Sequence, residues 1–373
     1  MEGDPAGLGI RLTDAQQRVA EHGPGAMLVV GPAGSGRTQA LVARFARLVA
    51  EGTAPQQVMV LTRSRAAATV LRARTAALIE LPYEELWIST YEVLAERLLR
   101  EHALEAGLDP FFATVRAADR LAMLLDRLDD LSLRRHEIRG NPAGLLARLL
   151  RRIDALKAER ITPGRLRDWA EERQREAEGA ADRERAQRER EFADLYASHD
   201  RVLRDCGSLD AGDLVIELER LLGERADVRR SLSERFPFVV VDELEDAGAA
   251  HRALVEALAR EHGNLLCACD LGQSIRRPSQ AVRDPAPSFM DSHPGAEQVV
   301  LDRPLRFGPS IARAASAVSA LSGESSPGAG PEPPGQDPEE ARVRFWRCSG
   351  ERAQAQAAAR EIEHLLAAGD VRP

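Results

Sequence analysis

The feature that most constrains the fold of this chain is a glycine-rich segment, residues 31–38 (GPAGSGRT), between two patterned stretches. Residues 27–31 (MLVVG) form a short apolar run before it, and apolar residues recur at helical spacing from Leu41 to Val49 after it. A strand, a glycine-rich turn and a helix in this order gather backbone N–H groups at the positive end of the helix. The segment nearly matches G-x-x-x-x-G-K-S/T, with Arg37 at the lysine position, and predicts a phosphate-binding loop; the alternative is an ordinary glycine-rich turn.

Further short apolar runs alternate with helical patterns, which predicts an α/β fold with a parallel sheet covered on both faces. Helices are expected from about Ser64 to Ile79 and over residues 351–368. The strand candidates are residues 58–62 (VMVLT), 238–241 (FVVV), 265–268 (LLCA), 299–301 (VVL) and 341–347 (ARVRFWR).

The length of 373 residues predicts two or three structural units. Strand patterns disappear over a helical stretch of residues 91–207, and its charged run 171–191 is expected to be a solvated helix with i,i+4 ion pairs. We therefore predict a discontinuous first domain (residues 1–90 and 208–292), a helical insertion (91–207) and the start of a second domain (293–373). Within the last unit, residues 322–340 are rich in Gly, Pro, Ser and acids and predict a flexible loop.

The composition is that of a globular chain: 44% of residues are hydrophobic, and the formal net charge is −8. No apolar run approaches the roughly 20 residues of a membrane helix, and no signal peptide is visible at the start. The four cysteines form no C-x-x-C pair, so neither a zinc site nor a disulfide framework is indicated, and a cytoplasmic location is expected. The negative net charge does not exclude nucleic-acid binding, because that binding depends on local patches of charge and not on the total.

Two carboxylates follow directly after the apolar run 238–241. At the end of a buried strand, Asp242 could hold Mg²⁺ together with the Thr38 hydroxyl, and Glu243 could orient an attacking water. The alternative is an acidic helix start that complements the helix dipole. Gln273 follows the run 265–268 and could sense a γ-phosphate, although by itself it could equally belong to a polar loop.

Besides the phosphate loop, seven segments stand out along the chain, in the order 12–16 (LTDAQ), 60–67 (VLTRSRAA), 88–94 (ISTYEVL), 209–214 (LDAGDL), 241–246 (VDELED), 270–275 (DLGQSI) and 301–306 (LDRPLR). In this order they resemble the motifs of superfamily-one DNA helicases of the UvrD/Rep/PcrA type, and they extend over most of the chain. Together they are far more specific than any one of them.

The resemblance implies a RecA-like P-loop sheet with a helical insertion, followed by a partial second RecA-like domain, with ATP and Mg²⁺ between the two. It assigns Mg²⁺ to Thr38 and Asp242. The implied catalytic residues are Glu243, Asp242, Arg37, Gln273 and Arg306. The implied nucleotide-binding residues are Gln16, Gly31, Gly34, Ser35, Gly36, Arg37, Thr38 and Leu305. Single-stranded DNA is the implied partner, contacted by Thr62, Arg63, Thr90, Tyr91 and Arg276.

The chain departs from the family pattern at several of these positions. Arg37 replaces a lysine, and its planar fork is a different donor from a compact ammonium. Glu245 replaces a glutamine and Leu305 replaces a tyrosine. Arg63, Arg276 and Pro278 stand where the family has aromatic residues, each of which contributes about 1–3 kcal/mol by stacking on a base.

Two functional hypotheses remain open. The first is an ATP-dependent DNA helicase motor, present as its N-terminal portion. The second is a degenerate, non-catalytic motor that binds nucleotide and serves as a structural partner in a helicase or helicase–nuclease complex. A different P-loop ATPase or kinase would explain residues 31–38 but not the ordered segments downstream.

Overall fold

The computed structural model describes residues 11–79, 82–131, 133–136, 140–274, 285–321 and 343–369. Its strands are β1 Ala26–Val30, β2 Val58–Thr62, β3 Trp87–Thr90, β4 Ala113–Thr114, β5 Ser208–Leu209, β6 Phe238–Val241, β7 Leu265–Cys269 and β8 Glu297–Val300. Its helices are α1 Asp14–Ala20, α2 Arg37–Ala50, α3 Arg65–Ala76, α4 Tyr91–Glu101, α5 Ala117–Leu125, α6 Pro142–Ala158, α7 Pro163–Glu176, α8 Ala180–Asp205, α9 Ala211–Glu224, α10 Ala226–Arg235, α11 Ala249–Ala259, α12 Pro285–Ser292, α13 Pro309–Leu321 and α14 Glu351–Ala368.

The centre of the fold is a six-stranded sheet in the order β3-β2-β6-β7-β1-β8, and the pairings within it are parallel. Alternate side chains of a strand point to opposite faces, so β1 supplies both cores. Leu28 and Val30 lie in one apolar cluster, and Met27 and Val29 lie in the other. The predicted α/β class and parallel sheet are confirmed, because apolar runs without alternation are buried on both faces.

The strand β8 corrects the predicted boundary of the second unit. The sequence analysis assigned residues from 293 onward to that unit, whereas β8 pairs with β1 in register from Met27 opposite Glu297 to Val30 opposite Val300. Short apolar runs do not reveal which edge they will join, since strand pairing is set by contacts distant in sequence.

The strand predicted over 341–347 is wrong for the part that the structure describes. Residues 343–348 form no strand there, and the Phe345 side chain is 82% exposed. Apolar character alone does not make a strand when no neighbouring strand supplies hydrogen bonds. The helix predicted over 351–368 is confirmed as α14, although none of its residues is buried. The predicted loop 322–340 lies outside the described residues.

The helical insertion has its own apolar core around Leu146, Ile153, Phe192 and Tyr196. The short strands β4 and β5 pair near its two ends, a feature that the sequence did not indicate. The charged run is not one helix, because α7 ends at Glu176 and α8 begins at Ala180. Its exposed i,i+4 pairs were predicted, and the pair Glu184–Arg188 is one of them, at 2.9 Å. No helix in the described part of the chain is long and apolar enough to cross a membrane.

A buried ionic cluster joins the insertion to the helices beside the sheet. The Lys157 ammonium on α6 lies 2.6 Å from Asp213, 2.9 Å from Asp210 and 3.1 Å from Asp200. Arg120 on α5 adds a second cation, 2.7 Å from Asp210. Burial opposes ionisation of Asp210, but these two cations hold its pKa below the usual range. Burial and the Asp210 charge raise the pKa of Asp213 to about 7.

We predict that Lys157→Met lowers the free energy of unfolding by about 3–5 kcal/mol at pH 7, because three aspartates lose the buried ammonium that they share and only Asp210 keeps Arg120 beside it. Urea denaturation followed by circular dichroism measures this loss. Arg188→Met, which removes an exposed cation from α8, should change stability by less than about 0.5 kcal/mol. Equal losses in the two variants would contradict a structural role for the cluster.

Candidate nucleotide-binding site

The glycine-rich loop connects the end of β1 to the start of α2 with left-handed backbone at two glycines. Gly34 has φ +77° and Gly36 has φ +86°. A Cβ atom at Gly34 would lie 2.7 Å from the Phe307 ring, and one at Gly36 would lie 2.2 Å from the Gln16 amide nitrogen. These positions therefore require glycine both for conformation and for space. Nearby, the buried Ser35 hydroxyl has no hydrogen-bond partner among the described residues.

Gln16 lies directly against this loop. Its amide nitrogen donates to the Ser35 carbonyl at 3.0 Å, and its amide oxygen accepts from the Thr13 backbone N–H at 3.0 Å. The Thr13 hydroxyl in turn accepts from the Gln16 backbone N–H, which completes a capping box at the start of α1. The structure thus places the glutamine of the first motif beside the loop, with its amide engaged by the protein on both sides.

Thr38 and Asp242 meet although they are far apart in sequence. The Thr38 hydroxyl donates to an Asp242 carboxylate oxygen at 3.0 Å. Burial raises the pKa of Asp242, while the Arg37 charge and the Thr38 hydrogen bond oppose the rise. Hydroxyl and carboxylate oxygens are ligands that Mg²⁺ accepts, and Mg²⁺ keeps waters and phosphate oxygens as its other ligands. Among the described residues, no group of three or more His, Cys, Asp or Glu side chains is arranged to hold a metal ion.

Glu243 has a left-handed backbone, with φ +59°, which is uncommon for a residue with a side chain. Its carboxylate accepts hydrogen bonds from the Thr62 hydroxyl at 2.7 Å and from the Arg63 backbone N–H at 3.3 Å. Strained backbone held by its surroundings concentrates at functional sites. The end of β2 therefore fixes the orientation of the carboxylate predicted to act on water.

The Arg37 side chain points toward acids. One guanidinium nitrogen lies 3.7 Å from a Glu245 oxygen and 3.6 Å from an Asp270 oxygen. Burial raises the pKa of Glu245 to about 8, and the charge of Arg37 opposes this rise. Arg37 is thus the cation of a compact acidic group that also includes Asp242.

These parts surround one cavity of about 370 Å³, a size within the usual range for small-molecule sites. The Leu305 backbone N–H donates to the Gly34 carbonyl at 2.8 Å and fixes the segment after β8 against the loop. Gln273, which hydrogen-bonds Asp270, lies at the cavity wall. The predicted residues in the wall are Gly34, Ser35, Gly36, Arg37, Thr38, Asp242, Glu243, Gln273, Leu305 and Arg306.

Two predicted residues lie outside the cavity wall, and three wall residues were not predicted. Gln16 contacts the glycine-rich loop without lining the cavity, and Gly31 is the first residue of that loop. Arg74 near the end of α3, together with Pro32 and Gln39, lines the cavity without having been singled out. No pattern distinguishes Arg74 from the other arginines of its helix, so only the folded arrangement identifies it.

The predicted DNA contacts need correction at three residues. Thr62, Thr90 and Tyr91 are buried, with Thr62 and Tyr91 each 0% exposed. The Thr62 hydroxyl binds Glu243, and the Tyr91 ring packs edge-on against His251, with centroids 4.8 Å apart. Their side chains therefore support the site from inside instead of facing DNA, because the motif gives a position and not an exposure. Arg276 lies outside the described residues.

Arg63, which follows β2, belongs to a polar cluster with Glu92 and His251. Its guanidinium lies 2.9 Å from Glu92 and 2.6 Å from His251, and 5.7 Å from the centre of the Tyr91 ring. Burial opposes ionisation of Glu92, but the His251 hydrogen bond and the Arg63 charge lower its pKa to about 2. Since the Arg63 backbone also binds Glu243, the network extends from that residue to α4 and α11.

Comparison with known proteins identifies a family and several relatives that this chain resembles. The family described as UvrD/REP helicase N-terminal domain matches residues 12–281. The ATP-dependent DNA helicase PcrA of Bacillus subtilis (strain 168) is 28% identical over 308 residues, which are 82% of this chain and 39% of that protein. DNA helicase II of Escherichia coli (strain K12) is 25% identical over 308 residues, 82% of this chain and 40% of that protein.

A longer match extends beyond the family region. PcrA of Staphylococcus epidermidis (strain RP62A) is 26% identical over 355 residues, which cover 94% of this chain and 45% of that protein. The chain thus spans about two-fifths of the length of these relatives.

We predict that Glu92→Gln lowers the free energy of unfolding by about 1–3 kcal/mol at pH 7, because the variant loses the negative charge that pairs with Arg63 at 2.9 Å. The folded-state pKa of Glu92 lies below its ordinary value of 4.5, so its contribution is present above that pH and is lost as pH falls toward 2. Urea denaturation should show that the difference in unfolding free energy between the parent chain and Glu92→Gln narrows by about 1 kcal/mol from pH 7 to pH 4.

The control is Glu105→Gln, which neutralises an exposed acid outside the cluster. Its stability should follow that of the parent chain at each pH. A gap between Glu92→Gln and the parent that is constant from pH 7 to pH 4 would refute the assignment of the charged state.

Proposed function

The chain belongs to the UvrD/REP helicase N-terminal domain family, and we propose that it is the ATP-binding N-terminal portion of a UvrD-type DNA helicase motor. In this function, ATP binding and hydrolysis drive movement on single-stranded DNA. The helicase names belong to relatives of more than twice its length, so activity, substrate and partners are part of the proposal.

The observation that carries the proposal is the 3.0 Å hydrogen bond between Thr38 and Asp242. It joins the start of α2, where the glycine-rich loop ends, to the carboxylate that follows β6. We assign Mg²⁺ to these two residues and the triphosphate to the loop. When bound, Mg²⁺ neutralises charge on the phosphate oxygens, which favours transfer of the γ-phosphoryl group to water.

The protein groups around that position have separate proposed roles. Glu243, held by Thr62 and the Arg63 backbone, orients the attacking water and accepts its proton. Gln273 and Arg306 line the cavity, and we assign both to the γ-phosphate. Gln273 offers it a neutral hydrogen-bond donor, and Arg306 offers it a charged one. Gln16 and Leu305 are assigned to the base, and the half-exposed Leu305 side chain can cover its face.

The proposed link to DNA runs through the buried network at the ends of β2 and β3. Glu243 binds Thr62 and Arg63, and Arg63 binds Glu92 and His251. A shift of α4 or α11 when single-stranded DNA binds would move the groups that orient Glu243. Arg63 and Arg276 remain our proposed DNA contacts, and a cytoplasmic location and a partner helicase or nuclease subunit remain predictions.

A second candidate function is a degenerate motor that binds nucleotide but does not turn it over. The placement of Arg37 favours it, because the guanidinium lies 3.6–3.7 Å from two carboxylates instead of projecting freely into the cavity. An arginine so held could bind phosphate without reaching the geometry required for hydrolysis.

We predict that Glu243→Gln binds Mg²⁺–ATP within about threefold of the parent chain yet lowers single-stranded-DNA-stimulated ATPase by about 100-fold or more, since general base catalysis contributes that much. Phosphate release measures turnover, and a fluorescent ATP analogue measures binding. Arg37→Lys should raise turnover if the chain is a motor.

The outcomes separate the two candidates. Turnover in the parent chain that depends on Glu243 supports the helicase motor. Nucleotide binding without turnover in the parent, in Arg37→Lys and in Glu243→Gln supports the non-catalytic motor. Failure of all three proteins to bind nucleotide would overturn both.

A further inference from the structure

We propose that Glu245 is the positioning residue of Arg37: it holds the guanidinium at the acidic wall of the cavity, and a nucleotide must draw Arg37 away from it. The two residues then act as one unit that sets the affinity for nucleotide phosphates. This inference rests on the proposed nucleotide site and adds a residue that the binding and catalytic assignments do not include.

The contact between the two residues is electrostatic and incompletely satisfied. The Arg37 nitrogen and the Glu245 oxygen are 3.7 Å apart, which is too far for a good hydrogen bond but close enough for strong attraction inside a protein. The Arg37 side chain is 13% exposed and that of Glu245 is 3% exposed. Within the described part of the chain, the same Arg37 nitrogen and the other Glu245 oxygen lack hydrogen-bond partners.

Arg37 can therefore donate a hydrogen bond to an acceptor that enters the cavity. One guanidinium nitrogen is buried and lacks an acceptor at hydrogen-bond distance, and the residue lines the cavity, so a phosphate oxygen that draws the side chain outward could supply the missing bond. Asp270, 3.6 Å away, remains beside the guanidinium whatever happens at Glu245. Asp270 thus gives Arg37 a second anionic neighbour, and the effect that we assign to Glu245 is to retain the side chain.

Glu245 also opposes phosphate binding indirectly, through the loss of its own cation. A buried carboxylate needs a nearby cation. Among the described residues, Arg37 is the cation that forms an ion pair with Glu245. The neighbouring charges of Asp242 and Asp246 have the opposite effect, because they repel that of Glu245. When Arg37 turns toward phosphate, Glu245 loses its cation beside these acids. That loss opposes nucleotide binding, and glutamine at this position would remove it while keeping the shape.

The test is a double-mutant cycle in the affinity for Mg²⁺–ADP, measured by isothermal titration calorimetry at pH 9, where the Glu245 carboxylate, with a pKa of about 8, is charged. The four proteins are the parent chain, Glu245→Gln, Arg37→Met and the double variant. We expect Glu245→Gln to tighten Mg²⁺–ADP binding by about tenfold when Arg37 is present. With Arg37→Met, the same change should tighten binding by about threefold at most, because no guanidinium is released.

Asp246→Asn is the matched control, since it removes a neighbouring negative charge that hydrogen-bonds Ser274. It should change the affinity by less than about threefold. Urea denaturation of each variant separates an effect on binding from a loss of folding.

An equal gain from Glu245→Gln in both backgrounds would mean simple repulsion of phosphate and would overturn the pairing. Weaker binding by Glu245→Gln would also overturn it. Heat of binding in none of the four proteins would overturn the nucleotide site itself, and the inference with it, so the two failures are distinguishable.

Discussion

The parallel pairing of β6, β7 and β1 is the constraint on which the rest of the site depends. Parallel strands end at the same edge of a sheet, so the residues that follow them meet there whatever their separation along the chain. The loop after β1, Asp242 after β6 and Asp270 after β7 are therefore neighbours. The hydrogen bond from Thr38 to Asp242 closes this arrangement and joins the loop to the acids.

Charged side chains inside the molecule connect this edge to the surrounding helices. One network passes from Glu243 through Arg63 to Glu92 and His251. A separate cluster around Lys157 joins the helical insertion to α9. Buried ions are costly unless each is paired, so such networks tolerate few alternative geometries. The helices are thus held in defined positions by pairs whose removal leaves a bare charge.

The sequence predicted the cavity wall well and its surroundings less well. Gly34, Gly36, Thr38 and Asp242 were identified because phosphate and Mg²⁺ chemistry require these residue types at these places in a strand–loop–helix unit. Tyr91 and Thr62 were placed correctly in their motifs but assigned to DNA, since a motif does not reveal which side chains the fold will bury. The pairing of β8 with β1 and the position of Arg74 depend on contacts between distant segments, which local patterns do not encode.

The departures at Arg37 and Glu245 acquire a physical meaning only in the folded chain, where the two side chains lie 3.7 Å apart. The central claim is that loop amides, Thr38 and Asp242 converge on one Mg²⁺–nucleoside triphosphate. A crystal structure of this chain with Mg²⁺ and a non-hydrolysable ATP analogue tests it most directly. We expect phosphate oxygens within hydrogen-bond distance of the Ser35 and Gly36 backbone nitrogens, and Mg²⁺ beside Thr38 and Asp242. An analogue bound elsewhere, or a loop that remains empty at saturating analogue, would contradict the claim.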